Sequence, residues 1–256
     1  MKFLKYLLFV VILIIIGGIA AVKYADEPLP EGRVSPRADS LALKMLAAVN
    51  DSAWQQTEAI TWRYIRSGVS NKYIWDKKRH FVQVEFEDQV VQVDIDKRRG
   101  TIIGSSEHLS VLDKVELCEK AWRLWINDSF WLNPITKVFD DGTMRSLATL
   151  KDGTEGLMIS YSSGGVTPGD SYFWILNENY RPVAWKFWVS IIPIGGLRFT
   201  WDEWIQLSTG AWISTYHDGI IGIRIADARG KATLEELTGV NDLFQPLLDA
   251  ENLIAY

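Results

Sequence analysis

The sequence is poorest in the residues that carry most metal and nucleophilic chemistry. Its 256 residues include one cysteine, Cys118, and three histidines, His80, His108 and His217. A lone cysteine excludes an internal disulfide and any zinc cluster built from cysteines. Cys118 falls on an apolar helical stripe, where burial suppresses reactivity. The histidines lie far apart, with no i, i+4 pair and no acidic partner motif, so they read as solvated strand and loop residues and not as a metal site or general base. Bases are outnumbered: 27 Lys and Arg against 32 Asp and Glu give a net charge of −5. Three lysines and no acid fall in the first 23 residues, which leaves the rest with 24 bases against 32 acids. An acidic body offers a phosphate backbone no electrostatic footprint, so nucleic acid is not expected as a partner. Phosphate-loop and nucleophile-elbow spacings are missing too. Gly164-Gly165 and Gly169 are not followed by Gly-Lys-Ser/Thr, and Ser162-Ser163-Gly164-Gly165 lacks Gly-x-Ser-x-Gly. No cofactor, metal or catalytic residue is implied.

What is present begins with an uncharged run of 17 residues, Tyr6 to Val22, behind Lys2 and Lys5. That length lies at the lower edge of a membrane-crossing helix and above an ordinary signal-peptide core. Under either reading the positive end stays in the cytoplasm and the body faces outward. Small residues suited to cleavage, Gly18 and Ala20, sit inside the apolar run, so residues 1–25 read as an uncleaved anchor, with a removed signal peptide as the alternative. The expected location is the cell envelope: body in the periplasm on an inner-membrane anchor, or free in the periplasm after cleavage. No cysteine lies nearby for a lipoprotein anchor. Pro28, Pro30 and Gly32 make residues 26–35 a linker. Residues 36–256 show no repeat and read as a single β-rich domain.

Ser35 and Pro36 open a short amphipathic helix ending near Asn50, with Leu41, Ala42, Met45, Leu46 and Val49 on its apolar side. From Ala59 the period changes to two. Ile60, Trp62 and Tyr64 share a face, as do Val82, Val84 and Phe86, and Val91, Val93 and Ile95, with Glu87-Asp88 as a turn. Strict alternation implies one covered and one wet face. Ser110 to Asn133 returns to helical spacing: Asp113 and Glu116 form a capping pair, Cys118, Ala121, Trp122 and Trp125 share the apolar stripe, and Asn133-Pro134 stops it. Strands resume at Met144 to Leu150 and Gly156 to Tyr161 around Asp152-Gly153. Tyr172 to Leu176, Val183 to Val189, Leu197 to Leu207, Ala211 to His217 and Ile221 to Ile225 follow. Thr233 and Glu236 cap a further helix, and Leu243 to Leu248 is a short covering segment. The expected fold is mainly β (α+β): a strongly curved antiparallel sheet, a half-barrel of about ten strands, with covering helices.

Six of the twelve tryptophans lie between residues 160 and 212. Trp185 and Trp201 fall on apolar strand faces, Trp188 and Trp204 on the opposite ones. Buried indoles commonly fill a core, but aromatic faces also line apolar ligand pockets. Ile191-Ile192-Pro193-Ile194 puts apolar residues at a turn, where a lid, a partner contact or a membrane-touching tip is expected. Asp140-Asp141-Gly142 reads as a turn.

The order of elements from about residue 36 to 230 resembles the bacterial lipoprotein-carrier fold of the periplasmic Lol carriers and related envelope lipid-binding proteins: anchor or signal, first helix, strand meander, inserted helix, closing strands. That resemblance implies a curved sheet around an apolar cavity plugged by helices. Asn127-Asp128-Ser129-Phe130-Trp131-Leu132-Asn133-Pro134, Ser163-Gly164-Gly165-Val166-Thr167-Pro168-Gly169-Asp170 and the segment Trp188 to Gly196 also resemble an uncharacterised family of bacterial envelope proteins, which implies a location and no activity. The expectation is a non-enzymatic, membrane-anchored protein that binds a lipid, an acyl chain or a lipidated protein, lined by Trp122, Trp125, Trp185, Phe187, Phe199 and Trp201. Two alternatives stand beside it: an envelope hydrolase using Asp170, Asp202 or Glu203, and a non-catalytic structural or assembly partner.

Overall fold

The structure, a computed structural model, describes residues 22–163, 169–249 and 253–256. The apolar run, Val22 apart, and the glycine-rich turn at 164–168 lie outside the described residues. Among those described, no helix is long and apolar enough to cross a membrane.

A two-residue strand, β1 (Arg33–Val34), leads into helices α1 (Pro36–Ala48) and α2 (Asp51–Gln56). The antiparallel meander follows as β2 (Ala59–Arg66), β3 (Val69–Asp76), β4 (Phe81–Phe86), β5 (Gln89–Asp94) and β6 (Arg99–Ile102). Helix α3 (Val111–Leu132) and a 3-10 turn at Pro134–Lys137 interrupt the strands. The chain resumes with β7 (Thr143–Thr149), β8 (Glu155–Tyr161), β9 (Ser171–Leu176), β10 (Pro182–Trp188), β11 (Leu197–Thr200), β12 (Asp202–Gln206), β13 (Trp212–His217) and β14 (Ile223–Lys231). Short helices α4 (Leu234–Thr238) and α5 (Gln245–Leu248) and strand β15 (Ile254–Ala255) complete it.

The fold is mainly β, but the expected single sheet of about ten strands is two antiparallel sheets. One holds six strands in the order β1-β7-β8-β9-β10-β11, the other nine in the order β12-β13-β14-β2-β3-β4-β5-β6-β15, and neither closes into a barrel. The transfer between them occurs inside Leu197 to Leu207, which alternates as if it were one strand. Trp201 separates β11 from β12, and Glu203 just beyond takes a positive φ of 50°. The alternation survives such a break while the hydrogen-bonding partner changes. A second irregularity, a bulge between Pro182 and Ala184, turns Val183 outward, away from the face of Trp185 and Phe187.

The inner faces of both sheets, with α1, α2 and α3, build one core. Helix α1 starts with Pro36, whose missing N–H costs nothing at a helix start, and it buries Ala38, Ala42 and Met45 against β7 and β8. Asp39 in its first turn pairs with Arg145 of β7 at 2.5 Å. Helix α3 begins one turn before the expected acidic pair. Ser110 Oγ accepts the Asp113 N–H at 3.2 Å while the Asp113 carboxylate accepts the Ser110 N–H at 3.0 Å, a reciprocal cap.

The outer faces are less wet than alternation implies. Phe244, Leu247 and Leu234 of the C-terminal segment cover Ala59 and Phe81, and Gln92 and Asp94 are buried as well. Arg79 fixes this cover through two 2.9 Å bonds to Asp242. On the six-stranded sheet Met158 and Phe173 form a second outer cluster with Ala148 and Leu150. Residues 26–34, expected as a linker, lie against that sheet: Arg33 and Val34 pair with β7, and Glu27 meets Lys186 of β10 at 2.7 Å.

Candidate functional site

Antiparallel register sets the aromatic wall. Leu147, Leu157, Trp174, Trp185 and Phe199 lie opposite one another across β7 to β11 on the inner face. In the neighbouring row Ile159, Tyr172, Phe187 and Leu197 do the same. Trp185 is the hub, with ring centroids 4.9 Å from Trp174, 5.0 Å from Trp201 and 4.8 Å from Tyr172. The C-terminal end of α3 fills the space in front of it: Trp131 stands 5.1 Å from Trp185 and 5.0 Å from Phe199, and Phe130 6.0 Å from Trp185. Trp174, Trp185 and Trp201 are fully buried by these contacts. This part of the inner face is a packed core, and its rings meet each other.

The six residues expected to line a ligand site therefore divide three ways. Trp185, Phe187, Phe199 and Trp201 belong to the packed cluster. Trp122 lies apart, half-buried, with the Arg98 guanidinium 3.6 Å from its ring centre and the Tyr256 ring on that guanidinium at 5.0 Å. Trp125 meets Trp75 of β3 edge to face at 5.3 Å, and Trp75 continues to Trp62 and Tyr73. Of the two indoles expected on outer faces, Trp188 is half-buried with Nε1 donating to Glu27 O at 2.7 Å, and Trp204 donates to Trp201 O at 2.9 Å.

Space opens beside Trp125. A groove of about 480 Å³ runs under α3, walled by Trp54 of α2, Trp75 of β3 and Trp125, with Lys77, Ser129 and Asn133 among its other residues. Lys77 Nζ stands 4.2 Å over the Trp54 ring and donates to Trp54 O at 2.5 Å. Burial pushes this ammonium down to about 8, and Asp51 opposes the shift. The neighbouring cations are paired, Lys78 with Glu58 at 3.2 Å and Lys137 with Asp140 at 3.6 Å. Trp75 Nε1, Trp125 Nε1 and Asn133 Nδ2 are buried donors without an acceptor among the described residues. A larger groove of about 1050 Å³ lies between residues 27–33, α1 and the β7–β8 hairpin, with a mainly polar and charged rim that includes Glu27, Glu31, Arg33, Arg37 and Lys44. A third, of about 370 Å³, sits on the outer side of β2 and β14 by Arg63 and Asp227.

Two buried titratable groups escape sequence reasoning. Asp128, 1% exposed, faces the nine-stranded sheet and accepts from Tyr73 Oη, from Asn71 Nδ2 at 3.1 Å and from Asn127 Nδ2 at 2.7 Å. Burial raises its carboxyl above the usual range against those bonds, and burial together with the Asp128 charge raises the Tyr64 hydroxyl beside it. Its position on α3, seven residues after Ala121 and three after Trp125, already places an acid on the apolar stripe. His217, expected in solvent, is fully buried 4.3 Å from Trp201; Nδ1 meets Thr200 O at 3.1 Å, and the Trp131 backbone adds a weaker polar contact. Burial pushes its imidazole down to about 4. Cys118 is buried as its stripe implies, and its thiol is pushed up to about 12.

The acids weighed for hydrolysis stand as follows. Asp170 is buried at the start of β9, where its carboxylate accepts from Ser190 N at 3.1 Å. Asp202 and Glu203 are exposed on β12, with Glu203 held by Arg224 at 2.7 Å and its carboxyl lowered by that bond. None of the three borders the grooves described above. Among the described residues, no three His, Cys, Asp or Glu side chains are grouped to hold a metal ion.

No protein-family model matches the chain, and no curated protein is similar to it. Among solved structures, it is similar to the crystal structure of a DUF1329 family protein from Desulfovibrio piger, at 11% identity, covering 81% of this chain and 96% of that one, with a TM-score of 0.46.

Proposed function

We propose that this is a membrane-anchored envelope protein that takes an acyl chain, of a lipid or of a lipidated protein, into the groove beneath α3. The observation that carries the reading is the Trp54, Trp75 and Trp125 wall around about 480 Å³ of space, three indoles set in an otherwise polar and charged lining, in a groove of the size that holds small ligands. Lys77 at the rim supplies a cation that has no carboxylate within ion-pair distance among the described residues and would meet an anionic headgroup. The packed rings around Trp185 give structural support and take no part in binding. The anchor reading rests on the uncharged run from Tyr6 to Val22.

The test is tryptophan emission of the purified protein titrated with a long-chain fatty acid and with a lysophospholipid. Saturable quenching that is lost in Trp125→Ala, with the folded circular dichroism spectrum kept, is the expected result. Quenching that persists unchanged in Trp125→Ala places the ligand elsewhere and removes the groove from consideration.

A second reading, a structural or assembly partner without a small ligand, draws on a different observation. The aromatic interior is solid, and Ile191 at the β10–β11 turn is 75% exposed. A protein that binds no acyl ligand but is captured as a stable complex through Ile191 would favour it.

A further inference from the structure

The chain between the apolar run and the body is clasped to one loop. Asp26 Oδ1 accepts from Gly195 N at 2.8 Å, and Glu27 N donates to Gly195 O at 3.1 Å. Glu27 O accepts from Trp188 Nε1 at 2.7 Å, while both Glu27 carboxylate oxygens hold Lys186 Nζ at 2.7 Å. The clasp needs glycine on the loop side. A Cβ on Gly195 would sit 2.3 Å from Trp188 Cδ1 and 2.7 Å from Glu27 O, and one on Gly196, where φ is +77°, would sit 2.7 Å from Glu27 Cβ. Loop and strap therefore fit as one unit. On its other side the loop is held by the Asp170 carboxylate, which accepts from Ser190 N.

This geometry fixes where the body sits relative to the end of the apolar run. Val22 to Ala25 are helical, and Asp26 N still donates to Val22 O at 2.9 Å. Four helical residues span about 6 Å, so the last uncharged residue stands about one helical turn from the clasp. Ile191, 75% exposed, and the exposed Pro193 project from the same loop, and Tyr24, 94% exposed, lies two residues from Asp26. Apolar and aromatic side chains beside a membrane boundary, next to a lysine such as Lys23, are the residue types that settle in the interfacial layer.

We propose that the Ile191–Ile194 loop is a membrane-contact tip, clasped by Asp26 and Glu27 so that the body rests on the outer leaflet in one fixed orientation. The proposal rests on the anchor reading of the preceding section and adds to it a surface, an occupant and an orientation. The occupant is the lipid bilayer itself, because the strap that leads to the apolar run is bonded to this loop and to no other turn between strands among the described residues.

The test uses the full chain reconstituted into vesicles of phosphatidylethanolamine and phosphatidylglycerol. Because Cys118 is buried, an environment-sensitive fluorophore can be attached at Ile191→Cys or, as a reference on the far cover segment, at Val240→Cys, with the unsubstituted chain as the labelling blank. The expected result is co-flotation of all chains with vesicles, and blue-shifted emission quenched by nitroxide-bearing lipid at position 191 only. Opening the clasp with Gly195→Val, or with Glu27→Ala if the first variant does not fold, is expected to abolish the quenching at 191 while flotation persists. Flotation with equal, water-like emission at 191 and 240 would overturn the membrane tip and leave the anchor intact. Failure of the unsubstituted chain to float would overturn both.

Discussion

Acid should destabilise this protein through one imidazole more than through any surface group. His217 has no exposure, its Nδ1 faces Thr200 O, and its ring is packed against Trp201 and Trp131, so burial outweighs the backbone bonds that favour the charged form. Protonation would place a charge in that cluster, and burial holds the folded pKa at about 4 against an ordinary 6.5. A base with a depressed folded pKa gives stability that is complete above the unfolded value and is lost as pH falls from 6.5 to 4, because the unfolded chain takes up the proton first. The full difference is about 3 kcal/mol, of which about 2 kcal/mol is gone by pH 5. The measurement is urea unfolding of the chain from Lys23 onward at about pH 7.5 and pH 5, with His217→Asn alongside, since Asn keeps a donor near the Nδ1 position. The variant is expected to be weaker at neutral pH, because it leaves space among the rings, but to lose about 2 kcal/mol less than wild type between the two pH values. Carboxylates and the other two histidines contribute equally to both proteins and cancel. Equal acid losses in the two proteins would show that His217 is not held neutral in a buried cluster, and the packing described around Trp201 would have to be wrong.

Other groups make separable predictions. Asp128 has the opposite sign to His217: its folded pKa is raised, so the folded state keeps a proton that the unfolded chain releases near 3.8, and its contribution falls as pH rises above that value. Asp128→Asn, which can still accept from Tyr73, is expected to gain on wild type progressively from pH 4 toward neutrality, as thermal midpoints measured across that range would register. Lys77, depressed to about 8, is expected to acylate ahead of the other lysines when the pH is set near 8, with peptide mass spectrometry as the readout. A bound fatty acid should protect it, and labelling unaffected by ligand would separate Lys77 from the binding groove.

The parts of the fold legible in the sequence are those set by local period and by caps. Alternation located β4 at Phe81 to Phe86 and the β7–β8 hairpin, and Pro36 and Pro134 marked a helix start and stop. Period two says which side chains share a face, but it is blind to which strand lies alongside. Leu197 to Leu207 therefore carries no sign of joining two sheets, and β3 lacks a clean alternation because Asn71 occupies an inward position that an apolar residue would normally hold. Asn71 is there for Asp128, which it bonds across 57 residues of sequence, and a partner so distant leaves no local trace. The groove was only half legible. Trp125 stands on the α3 stripe, while Trp54 and Trp75 reach the groove from α2 and from β3.

The same reasoning explains why an aromatic sheet face became core. Trp185, Phe187 and Phe199 were expected to line a cavity, and that requires the facing element to leave room. The facing element is the last turn of α3, whose Phe130 and Trp131 are both half-buried and enter the face themselves. Trp131 occupies the volume that a ligand would take, in ring contact with Trp185, Phe187, Phe199 and His217. Removing it should recreate the missing space. Trp131→Ala is expected to cost less than the about 3–5 kcal/mol of a fully buried large aromatic, since part of its ring reaches the surface, and to open an apolar hollow beside Trp185. Indole added to this variant should then raise its thermal midpoint in a concentration-dependent way, as any ligand that binds only the folded state does, while wild type should not respond. If indole leaves the variant's midpoint unmoved although the variant is folded and weakened, the rings have collapsed into the space. Trp131 would then be one core residue among many, and not the internal plug that closes this face to lipid.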